Sequence, residues 1–328
     1  MSPSGFVDLQ VNGFAGIDFS NAELTLEQVE EISMALSRLG TLAFCPTVIT
    51  AGRDIYRHVL PVLARAVRES AAWPARPLGI HLEGPFISPE DGAVGVHPVR
   101  YVQVPSVEFF DELCALAEGA LTLLTLAPEL PGAVDLIRRA RQVGIVVSIG
   151  HTLASAAAVR TAVAAGATLS THLGNGCPNL IHRHANPIWP QLAAPELSAM
   201  LISDGHHLPP EVITAMLAAK GSRRVIITSD AAPAAGLPPG EFTLFGSRVL
   251  LEPSGRLKNL ERDTLAGSSA TMLECMNYLA GLRLLSPAGL WRVGRDNPLA
   301  AIGLTPAILP TGPVTFIDNH FVIESSVR

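Results

Sequence analysis

Four short apolar stretches of the chain each end in a group able to hold a metal or move a proton. They are His81-Leu82-Glu83-Gly84-Pro85, Ser148-Ile149-Gly150-His151-Thr152, Ser170-Thr171-His172-Leu173-Gly174-Asn175 and Val225-Ile226-Ile227-Thr228-Ser229-Asp230. Singly, each has an ordinary explanation: a strand-end Asp capping the next turn, a Glu closing a Gly-Pro turn, a satisfied polar His. As a set they read differently. Two neutral imidazoles, His151 and His172, with one carboxylate, Glu83, form a familiar ligand set for a catalytic divalent ion, commonly zinc, with one position left for water. Such an ion lowers the pKa of its water to about 7. Asp230, standing outside the ligand set, would accept that proton and pass it to a leaving amine.

These residues are spread over roughly 150 positions, so the fold must bring them together, and a parallel barrel does so by pointing every strand end at one face. Apolar runs at 6–12, 42–49, 78–84, 121–127, 145–149, 168–173, 198–203 and 224–229 read as strands. Amphipathic or capped segments at 25–39, 54–72, 107–117, 132–143, 154–165 and 209–219 read as helices between them, with a short helix before the seventh strand. Eight strands alternating with helices is the count of a (β/α)8 TIM barrel, class α/β. An open doubly wound sheet is the runner-up, but no Gly-x-Gly-x-x-Gly follows the first strand and no P-loop occurs. After the eighth strand, 241–244 and 248–252 alternate as a hairpin, a helix is expected from 268 to about 285, and 314–317 with 321–324 form a last hairpin. The expected division is a barrel over 5–304, with a β-hairpin insertion at about 241–257, and a short C-terminal β tail over 305–328.

Composition narrows the function classes. The 328 residues carry a net charge of −6, 48% hydrophobic and 16% charged residues, which suits strands covered on both faces. No basic tract points to nucleic acid, and no apolar window reaches the roughly 20 residues that span a bilayer. Cys45, Cys114, Cys177 and Cys275 form no Cys-x-x-Cys pair, and the first residues carry no leader pattern, so the cytoplasm is the expected compartment. The loop 85–105 is longer than a connection needs and holds His97; Asp204-Gly205-His206-His207 follows the seventh strand. Arg183 lies in the sixth loop, where it could grip an anion with two hydrogen bonds.

Taken in order, Asp8-Leu9-Gln10-Val11-Asn12-Gly13, His81-Leu82-Glu83-Gly84-Pro85-Phe86, Gly150-His151-Thr152, Thr171-His172-Leu173, Ser203-Asp204-Gly205-His206-His207, Thr228-Ser229-Asp230-Ala231 and Leu265-Ala266-Gly267-Ser268 make the chain resemble the N-acetylglucosamine-6-phosphate deacetylases of the amidohydrolase superfamily. The likeness runs from Gly5 to about Leu304. It implies Glu83, His151 and His172 as metal ligands and Asp230 as general acid/base. It further implies a sugar-phosphate pocket lined by Val96, His97, Asn175, Gly176, Arg183, His207, Leu265, Ala266 and Gly267. It also implies a homodimer in which Arg183 and the loop His reach a neighbouring subunit. The implied reaction takes the acetyl group from the amine of an amino-sugar 6-phosphate, giving glucosamine 6-phosphate and acetate.

Many superfamily members place His-x-His on the first strand and bridge two metals with a carboxylated lysine. Here that position reads Gln10-Val11-Asn12, whose amides offer only weak metal or water contacts, and neither lysine, Lys220 or Lys258, sits at a strand mouth. One divalent ion is expected, Zn2+ first, with Fe2+, Mn2+ or Co2+ as alternatives. The loop His172-Leu173-Gly174-Asn175-Gly176-Cys177-Pro178 departs from the bulkier residue and the Asn-Ala-Met run usual in the family. That keeps open a deacylase of another N-acyl sugar or N-acyl amino acid, and, in another class, a non-catalytic sugar-binding scaffold. The small β domain that normally accompanies the barrel is expected to be reduced or missing.

Overall fold

In the computed structural model, residues 4–262 and 264–324 are described. Eight parallel strands run round the central sheet: β1 (Phe6–Val11), β2 (Thr41–Ile49), β3 (Ile80–Glu83), β4 (Leu121–Leu126), β5 (Val146–Ile149), β6 (Leu169–Ser170), β7 (Ser198–Leu201) and β8 (Val225–Ile227), and a ninth, two-residue strand, Arg76–Pro77, pairs with β2 off that path. The eight pair in sequence order. A parallel bridge between Val11 and Ala231 brings the last strand back to the first, making a TIM barrel. Every residue of β1 and β2 is buried, as expected of strands covered on both faces.

The outer layer consists of α1 (Leu26–Arg38), α2 (Arg53–Glu69), α3 (Val107–Leu116), α4 (Ala133–Gln142), α5 (Ala156–Ala165), α6 (Ile188–Ala193), α7 (Pro210–Lys220) and α8 (Met272–Gly281). Thr25 and Gln28 form a capping box at the start of α1, and Thr271 and Glu274 do the same for α8. The second box explains why α8 begins later than the apolar pattern predicts. Each box satisfies amide groups a helix start leaves free. The side chain of Lys220 caps a helix end in the opposite sense: Nζ donates to the carbonyls of Gln191, Ala194 and Leu197 at 2.7, 2.6 and 2.9 Å.

Three features were not expected from the sequence. The insertion after β8 has three strands, β9 (Gly240–Leu244), β10 (Ser247–Leu251) and β11 (Leu257–Asn259). Residues 287–301 form short helical turns, Pro287–Trp291 and Asn297–Ala301, around a π turn. Leu299 packs with Val7, Leu9, Ala43, Leu123, Met200 and Ile226, so this segment plugs the barrel from below. The sixth strand pairs only over two residues, because the backbone turns at His172. A C-terminal hairpin, Val314–Ile317 with His320–Ile323, docks through Phe321, whose ring meets Phe6 and Trp291 at 5.1 and 5.0 Å.

Candidate metal and catalytic centre

Glu83 ends β3, whereas His151, His172 and Asp230 lie just beyond their strands with φ of 50, 28 and 52°. Such left-handed backbone costs a non-glycine residue of order 1–3 kcal/mol and persists only where the surroundings hold it. Those holds are visible. The His151 carbonyl accepts from Ser88 N at 2.9 Å, and Glu129 takes both the Thr152 hydroxyl and, at 2.6 Å, the Leu153 amide. The Asp230 carbonyl accepts from Ser268 N at 3.0 Å. In each case the turn swings the side chain into the barrel mouth.

There, three atoms form a small triangle: His151 Nε2 to Glu83 Oε1 3.1 Å, His172 Nε2 to Glu83 Oε1 3.0 Å, and His172 Nε2 to His151 Nε2 3.1 Å. All three residues are buried. Donors bonded at about 2.0–2.2 Å to one tetrahedral ion stand roughly 3.3–3.6 Å apart, so a small divalent cation fits after a slight opening.

Glu83, His97 and His151 also form a compact group, with ligand atoms within 4.8 Å of one another. The hydrogen bonds give the histidines of the two sets different protonation patterns. His151 Nδ1 faces the Ala93 carbonyl at 2.7 Å, so it carries the proton and leaves Nε2 as a lone pair for a cation. His97 has the opposite arrangement. Its Nδ1 accepts the Thr50 amide at 3.3 Å, so the neutral ring carries its proton on Nε2, 3.7 Å from Glu83 Oε2. His97 is therefore placed as a donor into the site, while His172 Nε2 lies in the triangle with Glu83 and His151. Burial first, then the charge of His151, pushes His97 down to about 3, so it stays neutral. Burial opposes ionisation of Glu83, but the bonds from His151 and His172 outweigh it and hold the carboxyl well below its usual range.

Asp230 sits beside this triangle. Its Oδ1 accepts from Asn12 Nδ2 at 2.7 Å, which leaves the second oxygen for the cavity. Burial first, then the charge of Glu83, raises Asp230 to about 6. Gln10 Nε2 donates to Glu83 Oε1 at 2.8 Å. The two first-strand amides thus orient carboxylates, and their own oxygens, Gln10 Oε1 and Asn12 Oδ1, are buried without a protein partner.

Below the triangle lies a buried polar layer. His81 Nδ1 donates to the Leu9 carbonyl at 3.0 Å, so its Nε2 must accept from Thr125 Oγ1 at 2.8 Å. Each hydroxyl has one proton, so Thr171 donates to Thr125 and Ser148 to Thr171, both at 2.6 Å. Burial pushes His81 down to about 4, which keeps this chain in one direction. Asp8, fully buried, accepts from Thr228 Oγ1 at 2.6 Å and from the Ser229 amide and hydroxyl, and so ties β1 to the end of β8.

The triangle and Asp230 open into a cavity of about 410 Å³. Val96, His97, Asn175, Gly176, His207, Leu265 and Gly267 line it, as does Asn12. Ala266 is wholly buried between its lining neighbours, and Gln10 lies beneath Glu83. Arg183 is not brought to the cavity within one chain: it is exposed, in the loop that also exposes Leu180 by 93% and Trp189 by 52%. His207 Nδ1 donates to Asp204 at 2.7 Å and presents the rest of its ring to the cavity. Burial opposes ionisation of Asp204, but that bond and the amides of His206 and His207 hold its carboxyl well below the usual range.

Sequence reasoning missed Arg256 and Phe245, which the insertion carries to the cavity wall. The alternating pattern of the insertion was the available signal, but nothing in it says that these strands fold over the barrel mouth. Gly176, where the family usually has a larger residue, has φ of 60°; a Cβ there would lie 3.1 Å from His172 Cε1 and 3.2 Å from the His151 amide.

No family model matches the chain. It is 33% identical over 303 residues to the N-acetylglucosamine-6-phosphate deacetylase of Bacillus subtilis (strain 168), covering 92% of this chain and 75% of that protein. The chain belongs to the N-acetylglucosamine-6-phosphate deacetylase family. It is also 29% identical over 299 residues to an N-acetylgalactosamine-6-phosphate deacetylase of Escherichia coli O157:H7, across 91% of this chain and 77% of the relative. A solved mutant of N-acetyl-D-glucosamine-6-phosphate deacetylase from Mycobacterium smegmatis, in complex with N-acetyl-D-glucosamine-6-phosphate, superposes with a TM-score of 0.84. That match has 26% identity and covers 98% of this chain and 86% of the other. Membership makes the chain an enzyme of the amidohydrolase type, and the Glu–His–His triangle suits the divalent ion such enzymes use.

Proposed function

We propose that the protein hydrolyses the acetamide of N-acetylglucosamine 6-phosphate, giving glucosamine 6-phosphate and acetate. The observation that carries this reading is the triangle of Glu83, His151 and His172 with Asp230 beside it, in a chain so similar to deacetylases of that substrate. Glu83, His151 and His172 would hold one divalent ion, with Zn2+ favoured by two imidazoles and a carboxylate. When bound, the ion would supply Lewis acidity toward water and the amide carbonyl.

The remaining work falls to this chain's own side chains. Asp230, fixed by Asn12 and raised toward neutrality, removes the proton from water and delivers it to the departing amine. His97 Nε2–H donates to a substrate oxygen, and burial ensures that it does so as a neutral ring. Val96 and Leu265 line the pocket with apolar surface, while Asn175, Gly176, His207 and Gly267 supply polar and backbone groups. The exposed loop around Leu180, Arg183 and Trp189 supports a homodimer in which a second copy covers this apolar surface and extends Arg183 toward its neighbour. The barrel over 5–304 and the tail over 305–328 would then act as one catalytic unit. Among the described residues, no helix is long and apolar enough to cross a membrane, which fits the proposed cytoplasmic location.

The E. coli relative keeps the 4-epimer in view as substrate. Acetate release should be measured for both 6-phosphorylated N-acetylhexosamines and for their unphosphorylated forms. Faster turnover of N-acetylglucosamine 6-phosphate supports the proposal. A preference for the galacto epimer, or none for phosphate, overturns it.

A further inference from the structure

The cavity already holds two carboxylates, Glu83 and Asp230, and under the reading above must also accept a phosphate dianion. Among its lining residues Arg256 is the one side chain with a permanent positive charge. Arg256 follows the turn between β10 and β11, and that turn is anchored from two sides. The Ser254 carbonyl accepts from His206 Nε2 at 3.1 Å, and the Gly255 carbonyl accepts from Ser269 Oγ at 2.6 Å. The first anchor is the residue next to His207, whose ring lines the same cavity. Beyond β11, Arg262 Nη1 donates to the Gly95 carbonyl at 2.7 Å, which ties the insertion to the loop bearing Val96 and His97.

The turn before β11 and the segment after it are thus both latched at the mouth. Arg256 itself makes no ion pair among the described residues, in contrast to Arg248 of the same sheet, which pairs with Glu241 at 2.7 Å.

We propose that Arg256 is a phosphate-binding, specificity-determining residue that acts within its own chain, on the His207 side of the pocket. The inference rests on the sugar-phosphate reading and deepens it. An exposed guanidinium at the rim, carried by an anchored turn, offers a charge-assisted, two-pronged contact to a phosphate oxygen pair, independent of any cation supplied by a second copy.

The test compares wild type, Arg256→Ala and Arg256→Lys in metal-loaded protein, with N-acetylglucosamine 6-phosphate and N-acetylglucosamine as substrates. Arg256→Ala should lower kcat/KM for the phosphorylated sugar about 10- to 100-fold more than for the unphosphorylated one. Arg256→Lys should recover part of that difference. Inorganic phosphate, as a competitive inhibitor, should weaken by a similar factor in Arg256→Ala. Equal losses on both sugars, or an unchanged preference for phosphate, would overturn the assignment while leaving the sugar-phosphate reading standing. A wild type without phosphate preference would remove both.

Discussion

Asn12 Nδ2 donates to Asp230 Oδ1 at 2.7 Å, joining two residues 218 positions apart at the point where the barrel meets itself. The amide bonds the charged form of the carboxylate and so lowers its pKa. Asn12→Ala should therefore move the acidic limb of the kcat/KM profile to higher pH and lower kcat several-fold through lost orientation. Asp230→Asn should remove turnover by about two to four orders of magnitude while metal content stays the same. Turnover within twofold of wild type in Asp230→Asn would remove that residue from the mechanism.

The His151–Glu83 contact gives a prediction for metal loading. Burial disfavours protonated His151, but Glu83 outweighs burial and raises the imidazole above its ordinary value in the metal-free state. A proton and a cation then compete for Nε2. Metal affinity should begin to fall while the pH is still above the ordinary histidine value and keep falling below it, with a proton released on binding that calorimetry in two buffers would detect. Glu83→Gln should weaken both the affinity and the proton release. Chelation should abolish acetate release, and added Zn2+ should restore it. Full activity after exhaustive chelation would refute the metal assignment.

Lys220 separates stability from catalysis. Its three carbonyl partners lie near the end of α6, away from the cavity wall. Lys220→Met keeps much of the buried stem but leaves those carbonyls without their donor. A loss of about 2–4 kcal/mol in unfolding free energy is expected, with kcat/KM at 25 °C within about twofold of wild type. A thermal melt unchanged from wild type would show that the carbonyls find other partners.

The strand order and the convergence of Glu83, His151, His172 and Asp230 were legible because each apolar run stops at a polar residue, and in a parallel barrel those stops share one face. The proton positions were not. His97 and His151 look alike in a sequence, yet Thr50 N–H and Ala93 C=O assign them opposite tautomers. The turns at 287–301 were hidden because Pro287, Gly289 and Pro298 interrupt any helical period in the sequence; burial of Leu290, Val293 and Leu299 goes with the helical turns they form. Arg256 was invisible because its value depends on where the insertion lands.

The single bridge from Val11 to Ala231 orders the events of biosynthesis. All three prospective ligands belong to the first six strands, so a growing polypeptide possesses them well before residue 230 leaves the ribosome. On the proposed reading, the ligands are made before the ring closes, whereas the proton carrier arrives only with the strand that closes it. A nascent chain halted after β7 would carry all three proposed ligands and still lack the proposed proton carrier.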